Sequence, residues 1–373
     1  MSASALNTNK TLNSIQAMRG IAAVLVMLFH FQFYFNLDFL NIGTLLFKNG
    51  RIGVPVFFVI SGFIMAYTTR RYGASEVVNF SIKRLARIYP LYFISTLLYV
   101  AILNTTLPDT TDINNIEDIF RSLTFYPLKY YDAPYFGWST LAVGWTLNYE
   151  MFFYLVLAFS LFFGRFCWFA LFSVFTASLI ALPLLSAGFL SYLPEVNYGF
   201  TYAYLSLISN PIMINFIAGV LCGLYLKKRT LRISKQSSVW LIAISTALYL
   251  CQYFFNVNPG WGFSEWGFGA AVIIFLIVNH EHRFGLNVNG CLVYLGEISF
   301  SLYLNHLVVK EFIYMLGKYM RIDILVSGPF CGALIVMVTI FVSGYTRKYI
   351  ELGVPRFISM VVNKLKLTPV KNA

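Results

Sequence analysis

From Phe166 to Pro194 the chain carries no Asp, Glu, Lys or Arg, and the same holds from Ile324 to Thr346. Apolar runs of this length constrain the fold more than any other feature. The hydrocarbon core of a bilayer is about 30 Å thick, and a helix needs about 20 mostly apolar residues to cross it. Ten segments satisfy that length, at about 16–35, 52–69, 88–105, 145–163, 167–186, 208–226, 239–255, 263–280, 290–307 and 327–346. The eighth is shortened by Glu265 and by Gly-rich sequence. The expected fold class is all-α, a polytopic membrane helix bundle of about ten transmembrane helices.

Composition excludes the alternatives. Only 11% of the 373 residues are charged while 58% are hydrophobic. A soluble domain carries about 25% charged residues. The formal charge of +12 does not point to nucleic acid, because the bases are not gathered on one polar domain. With ten spans both termini lie on one side. That side holds twenty Lys and Arg, including Lys10 and the group Arg70, Arg71, Lys83, Arg84 and Arg87. The other holds seven: Lys48, Arg51, Arg121, Lys129, Lys310, Lys318 and Arg321. The positive-inside rule therefore predicts N and C termini in the cytoplasm. No cleavable signal peptide is expected, because the first apolar run begins after a polar stretch and no small-residue cleavage site follows. No internal repeat of the transporter kind is visible. The five cysteines stand singly in apolar runs and read as lipid-buried residues rather than disulfides or metal ligands. The long outer segment from Thr106 to Gly144 carries Asp109, Asp112, Glu117, Asp118 and Asp132, together with Tyr126, Tyr130, Tyr131, Tyr135 and Trp138. These aromatics form either an interfacial belt or stacking faces for a carbohydrate.

An ionisable side chain inside a span costs several kcal/mol by most measures, so each one is a candidate functional residue. Arg19 and His30 share the first span and lie eleven residues apart. At about 100° per residue they project from nearly the same helix face, separated by about 16 Å. Arg19 is expected at the cytoplasmic mouth and His30 at or beyond the midplane. Glu150 lies near the outer end of the fourth span beside Asn148 and several aromatics, including Tyr154. A histidine with a carboxylate is a general-base unit, and His30 with Glu150 is the expected pair. Arg84 and Arg87 project from one face at the entry to span three, and with Arg19 they suggest a cradle for an anion. Ser61 and Gly62 sit mid-membrane in span two, where small residues let helices approach closely. Ser301, Tyr303 and His306 lie along one later span as candidate lining, whereas His280 and His282 fall in a short inner loop near Arg283. No metal-ligand set, Gly-x-Ser-x-Gly elbow or Walker loop is present.

In order along the chain stand Arg19-x10-His30, Phe57-Phe-Val-Ile-Ser-Gly62, Arg84-x-x-Arg87-x-x-Pro90, Trp145-Thr-Leu-Asn-Tyr-Glu150-x-x-Phe-Tyr154, Ser301-Leu-Tyr-Leu-Asn-His306 and Glu351-x-x-x-Pro355. This ordered set resembles the acyltransferase-3 family of membrane acyltransferases from about Leu12 to Pro355. Many relatives read Ser-x-Glu where this chain has Asn148-Tyr-Glu150, and the version here looks more like the exopolysaccharide, capsule and O-antigen O-acetyltransferase branch. That departure removes any serine role at position 148. The resemblance implies transfer of acetyl from cytoplasmic acetyl-CoA to a hydroxyl of a polysaccharide or its lipid-linked oligosaccharide precursor, with no permanently bound cofactor. It places Arg19, Arg84 and Arg87 on the coenzyme A phosphates and gives the chemistry to His30 and Glu150. His30 would act as a general base or as a transient acetyl carrier. Ser61, Tyr154, Ser301, Tyr303 and His306 are candidate lining residues. The expected organisation is one transmembrane domain over 1–355 and a short basic cytoplasmic tail over 356–373, in a bacterial inner membrane. The rival readings are a transporter or flippase without chemistry, or the same chemistry on a lipid, peptidoglycan or antibiotic acceptor.

Overall fold

A computed structural model describes residues 12–37, 39–106 and 115–366. Lys10, Asp109 and Asp112 lie outside the described residues. Among the described residues there is no strand beyond an isolated bridge between Leu37 and Leu40. Most of the rest is helical, as the spans must be where lipid offers no partner for a free N–H or C=O.

The helices are α1 (Asn13–Phe31), α2 (Gly53–Thr68), α3 (Ala74–Thr106), α4 (Trp145–Leu161), α5 (Gly164–Ala187) and α6 (Ile214–Lys228). There follow α7 (Lys235–Phe255), α8 (Phe268–Phe284), α9 (Gly290–Glu297), α10 (Ser299–Met320), α11 (Gly328–Thr346) and α12 (Gly353–Lys366). Nine of the described segments are long and apolar enough to cross a membrane alone, and ten when α9 and α10 count as one bent span. Every span expected from apolar run length has its helix. Below, the end of the bundle where α1 begins is the near end, and the opposite one is the far end.

The ninth expected span differs from its reading as one rod over 290–307. It breaks into α9 and α10, bent by 69°. The cause is contact between backbones. A Cβ on Gly296 would lie 1.8 Å from the Gln16 carbonyl oxygen, and one on Gly20 would lie 2.7 Å from the Gly296 nitrogen. Helix α9 is therefore pressed across α1, and α10 turns away to run along the core. Helices α2 and α6 cross as closely: a Cβ on Gly62 would lie 2.0 Å from the Phe216 carbonyl oxygen, and one on Gly219 as near to that of Val59. Small residues thus do in α2 what their type suggests.

The outward faces are apolar rather than polar. Leu185, Phe169, Leu248 and Phe341 are exposed, and α7 buries only Ser238 and Tyr253. Polar side chains collect inside instead, among them Glu351, His306, Ser301 and Asn305. That inversion is what a lipid solvent demands. The segment expected as a tail continues as α12 as far as Lys366.

Candidate active site

Helix α1 starts against a carboxylate. The backbone N–H groups of Asn13 and Ser14 donate to Glu281 at 3.2 and 3.4 Å, and the Ser14 hydroxyl donates to it as well. A negative charge at a helix N-terminus satisfies orphan donors and complements the macrodipole. The bond ties α8 to α1 and sets the depth of Arg19, less than two turns further on.

Around Arg19 the helices α1, α2, α3, α4 and α10 line a partly open cavity, with about 830 Å³ of empty space when the solvent at its mouth is counted. Its polar walls are Arg19, Ser61, Arg84, Arg87, Glu150 and Tyr303, and Phe57, Phe58, Ile64 and Met65 supply apolar surface. The three arginines that the sequence joined only by type thus share one space. Each is held differently. Arg87 is paired with Glu351, from its Nη2 at 3.1 Å and its Nε at 3.2 Å. Glu351 is 2% exposed, and its other oxygen accepts from Ser301 at 3.0 Å. The guanidinium of Arg84 lies over the rings of Phe80 and Tyr154, 5.6 Å from each centroid, and its Nε is buried without an acceptor. Among the described residues Arg19 is hydrogen-bonded only to Gln16, at 3.4 Å. Two of the three cations therefore lack a carboxylate partner among the described residues.

Glu150 faces the same space. Its Oε1 accepts from Tyr154 at 2.5 Å and from Ser61 at 3.1 Å, and those two hydroxyls lie 3.1 Å apart. Its Oε2 has no partner among the described residues and is left to the cavity. Toward the far end, Tyr303 closes the cavity with a 2.8 Å hydrogen bond to Thr146 and a donation of 3.0 Å to the Val143 carbonyl.

Beyond Tyr303 lie two histidines. The His30 and His306 rings are 5.1 Å apart, tilted by 41°. His306 is fully buried, its Nδ1 lies 3.2 Å from the Leu302 carbonyl, and its Nε2 has no partner. The donating tautomer follows from that carbonyl, so Nε2 carries a free lone pair.

A pocket of about 810 Å³ adjoins the cavity at the near end and shares Met65 and Arg84 with it. Arg70, Arg71 and Lys83 line it. Sequence reasoning counted these three only as topology signals, although their density just before Arg84 is the visible sign of the vestibule.

A family model described as an acyltransferase domain, that of the acyltransferase-3 family, matches residues 12–346. The chain belongs to this family. It is an acyltransferase, built as a multi-pass membrane protein. It is similar to the "Exopolysaccharide production protein ExoZ" of Rhizobium meliloti (strain 1021), 32% identical over 274 residues, which covers 70% of this chain and 76% of that one. It is also similar to the "Putative acetyltransferase ORF330" of Acidianus two-tailed virus, 23% identical over 323 residues, 85% of this chain and 88% of that one. No solved structure matches it.

In this acyltransferase the expected site residues separate into two levels. Arg19, Arg84, Arg87, Ser61, Glu150 and Tyr303 line the cavity, whereas His30, Tyr154, Ser301 and His306 do not. Tyr154 and Ser301 stand behind it, holding Glu150 and Glu351. The His30–Glu150 pair is not formed. Thr146 meets Tyr303 side by side; Glu150 lies one turn from Thr146 toward the near end, and His306 one turn from Tyr303 toward the far end. Helix rise puts the carboxylate and the imidazoles about 10 Å apart along the axis. The companion of His30 is His306, whose span was read only as lining. Glu351, visible in its motif but given no role, is the counter-ion of Arg87.

Proposed function

We propose that this acyltransferase moves an acetyl group from cytoplasmic acetyl-CoA to a hydroxyl of a cell-surface polysaccharide or its lipid-linked precursor. The near end then faces the cytoplasm with both termini in a bacterial inner membrane, an orientation that the Lys and Arg distribution supports. The observation that carries the reading is the run of basic groups from the vestibule into the bundle. Arg70, Arg71 and Lys83 lead through Arg84 to Arg19 and Arg87, and the cavity they enter has apolar surface from Phe57, Phe58, Ile64 and Met65. Guanidinium groups suit the phosphates of coenzyme A, and apolar walls suit its pantetheine arm. The free oxygen of Glu150 is placed to accept from an amide N–H of that arm. The span from Arg19 to His30, about 16 Å along α1, brings a thioester threaded past Tyr303 to the imidazoles.

His30 is the general base, with His306 beside it. It takes the proton of the acceptor hydroxyl as the oxygen bonds to the thioester carbonyl carbon. The carbon–sulfur bond breaks, and the departing thiolate takes the proton from the imidazolium as free coenzyme A. The ExoZ relative, named for exopolysaccharide production, supports a polysaccharide as acceptor.

The test uses purified full-length protein in detergent with radiolabelled acetyl-CoA and a panel of oligosaccharides. Label appearing in an oligosaccharide, with release of free coenzyme A, is the expected result. Binding of an oligosaccharide without transfer or hydrolysis of acetyl-CoA overturns the reading in favour of a carrier.

A further inference from the structure

Arg51 is a cation without an ion-pair partner among the described residues. It stands in the turn just before α2, at the far end of the bundle. Among the described residues it makes no ion pair and no hydrogen bond, and its Nε is buried without an acceptor. What holds it is aromatic: its guanidinium lies 5.4 Å from the ring centroid of Trp261 and 5.5 Å from that of Trp266. Glu265 is on the same wall, but its carboxylate accepts from the Gly262 N–H at 2.6 Å and forms no ion pair with Arg51. The electron-rich face of an indole attracts a guanidinium. The half-buried guanidinium is thus held by two rings while its donors make no hydrogen bond among the described residues.

The cluster continues to a rim. The Trp261 indole N–H donates to the Tyr135 hydroxyl at 3.2 Å, and Tyr135 stacks on Trp138 with centroids 3.9 Å apart and planes 9° from parallel. Trp145 packs edge-on against both Tyr135 and Trp261. Trp138 is 39% exposed, so part of its indole meets solvent where the stack ends. Two links join this cluster to the site. Trp145 is followed by Thr146, which lines the cavity and bonds to Tyr303. Gly50, beside Arg51, is pressed onto α1 at Leu25 and Phe29, the residue before His30.

An aromatic face packs against the C–H face of a pyranose, and a guanidinium takes a carboxylate or phosphate with two parallel hydrogen bonds. We propose that Arg51, held by Trp261 and Trp266, and the Tyr135–Trp138 stack form the acceptor subsite, and that the sugar it takes carries an anionic group. This rests on the reading that the acceptor is a glycan. The charge comes either from a carboxylate on the sugar ring or from the phosphate of a lipid-linked sugar.

The experiment titrates full-length protein in detergent with tetragalacturonate, glucose 1-phosphate and neutral cellotetraose, following tryptophan fluorescence. At least one anionic probe is expected to bind about tenfold or more tightly than cellotetraose, the size of a charge-assisted hydrogen bond. Which probe wins identifies the source of the charge. Arg51→Gln should abolish that preference and Arg51→Lys should keep part of it. Equal affinity for anionic and neutral probes, or a preference that survives Arg51→Gln, overturns the proposal. Should Arg51→Gln not fold, the wild-type ranking and loss of the fluorescence response in Trp138→Ala decide instead. Acetyl transfer to oligosaccharides measured in parallel separates the two readings. Transfer without anion preference refutes the subsite alone, and absence of any transfer refutes the glycan acceptor itself.

Discussion

The two halves of the site are built in opposite ways. Below Tyr303, toward the near end, charged groups hold one another: Glu351 grips Arg87 and is itself held by Ser301, while Tyr154 and Ser61 hold Glu150. Above it, His30 and His306 touch each other and aromatic rings, and an imidazole nitrogen is left bare. The first arrangement fixes positions for a ligand whose charges do not change in the reaction. The second leaves lone pairs unsatisfied where a proton has to move. On the proposed function, binding and chemistry occupy different levels of one bundle, and substitutions at the two levels should fail differently.

The largest effect should come from the far level. His30→Ala is expected to lower acetyl transfer by about 10²–10⁴-fold, the usual worth of a general base. Coenzyme A affinity by calorimetry should stay near the wild-type value; a parallel fall in affinity would mean that the two levels are one. Next comes Arg84→Ala, which should weaken coenzyme A binding by about tenfold or more through loss of a charge-assisted contact. If kcat falls while the KM for acetyl-CoA holds, Arg84 acts on the reaction and not on the donor.

Glu351→Gln should be smaller and mixed. It leaves Arg87 without its counter-ion. The Arg87 side chain is 37% exposed, so water shares the cost and the loss should stay below the 3–5 kcal/mol of a fully buried pair. A lower thermal midpoint together with a raised acetyl-CoA KM is the expected pattern, and an unchanged KM would reduce the pair to scaffolding. The smallest effect belongs to Tyr154→Phe, which removes one of two donors to Glu150 for about 1 kcal/mol. It should appear as a few-fold rise in acetyl-CoA KM with kcat nearly constant.

How much of this was legible in the sequence depended on the range of the interaction. Span positions follow from run length alone, so all of them were visible. Arg19 and His30 share a helix, and their common face follows from the helical repeat. The bend before α10 could not be seen, because the residues on both sides of it are equally apolar and its cause, Gly20 against Gly296, joins distant segments. The Arg87–Glu351 pair joins residues 264 apart, and no local pattern announces a partner at that distance. Glu150 was correctly singled out as an acid inside a span, yet it was given the wrong companion. Two helices known to reach the same region can still present their side chains two turns apart. Arg51 was read as a topology charge because nothing near it in sequence distinguishes it from Lys48.

The crossing of α2 and α6 carries a mechanical consequence. With carbonyl oxygens lying where side chains would otherwise begin, at Gly62 and Gly219, the two helices are keyed together like a tongue in a slot. A slip of one residue along either would drive a side chain into backbone. The wall that carries Ser61, Phe57 and Phe58 is therefore a rigid jamb. Whatever breathing admits the proposed thioester and sugar must come from the helices hung opposite it, α3, α4 and α10.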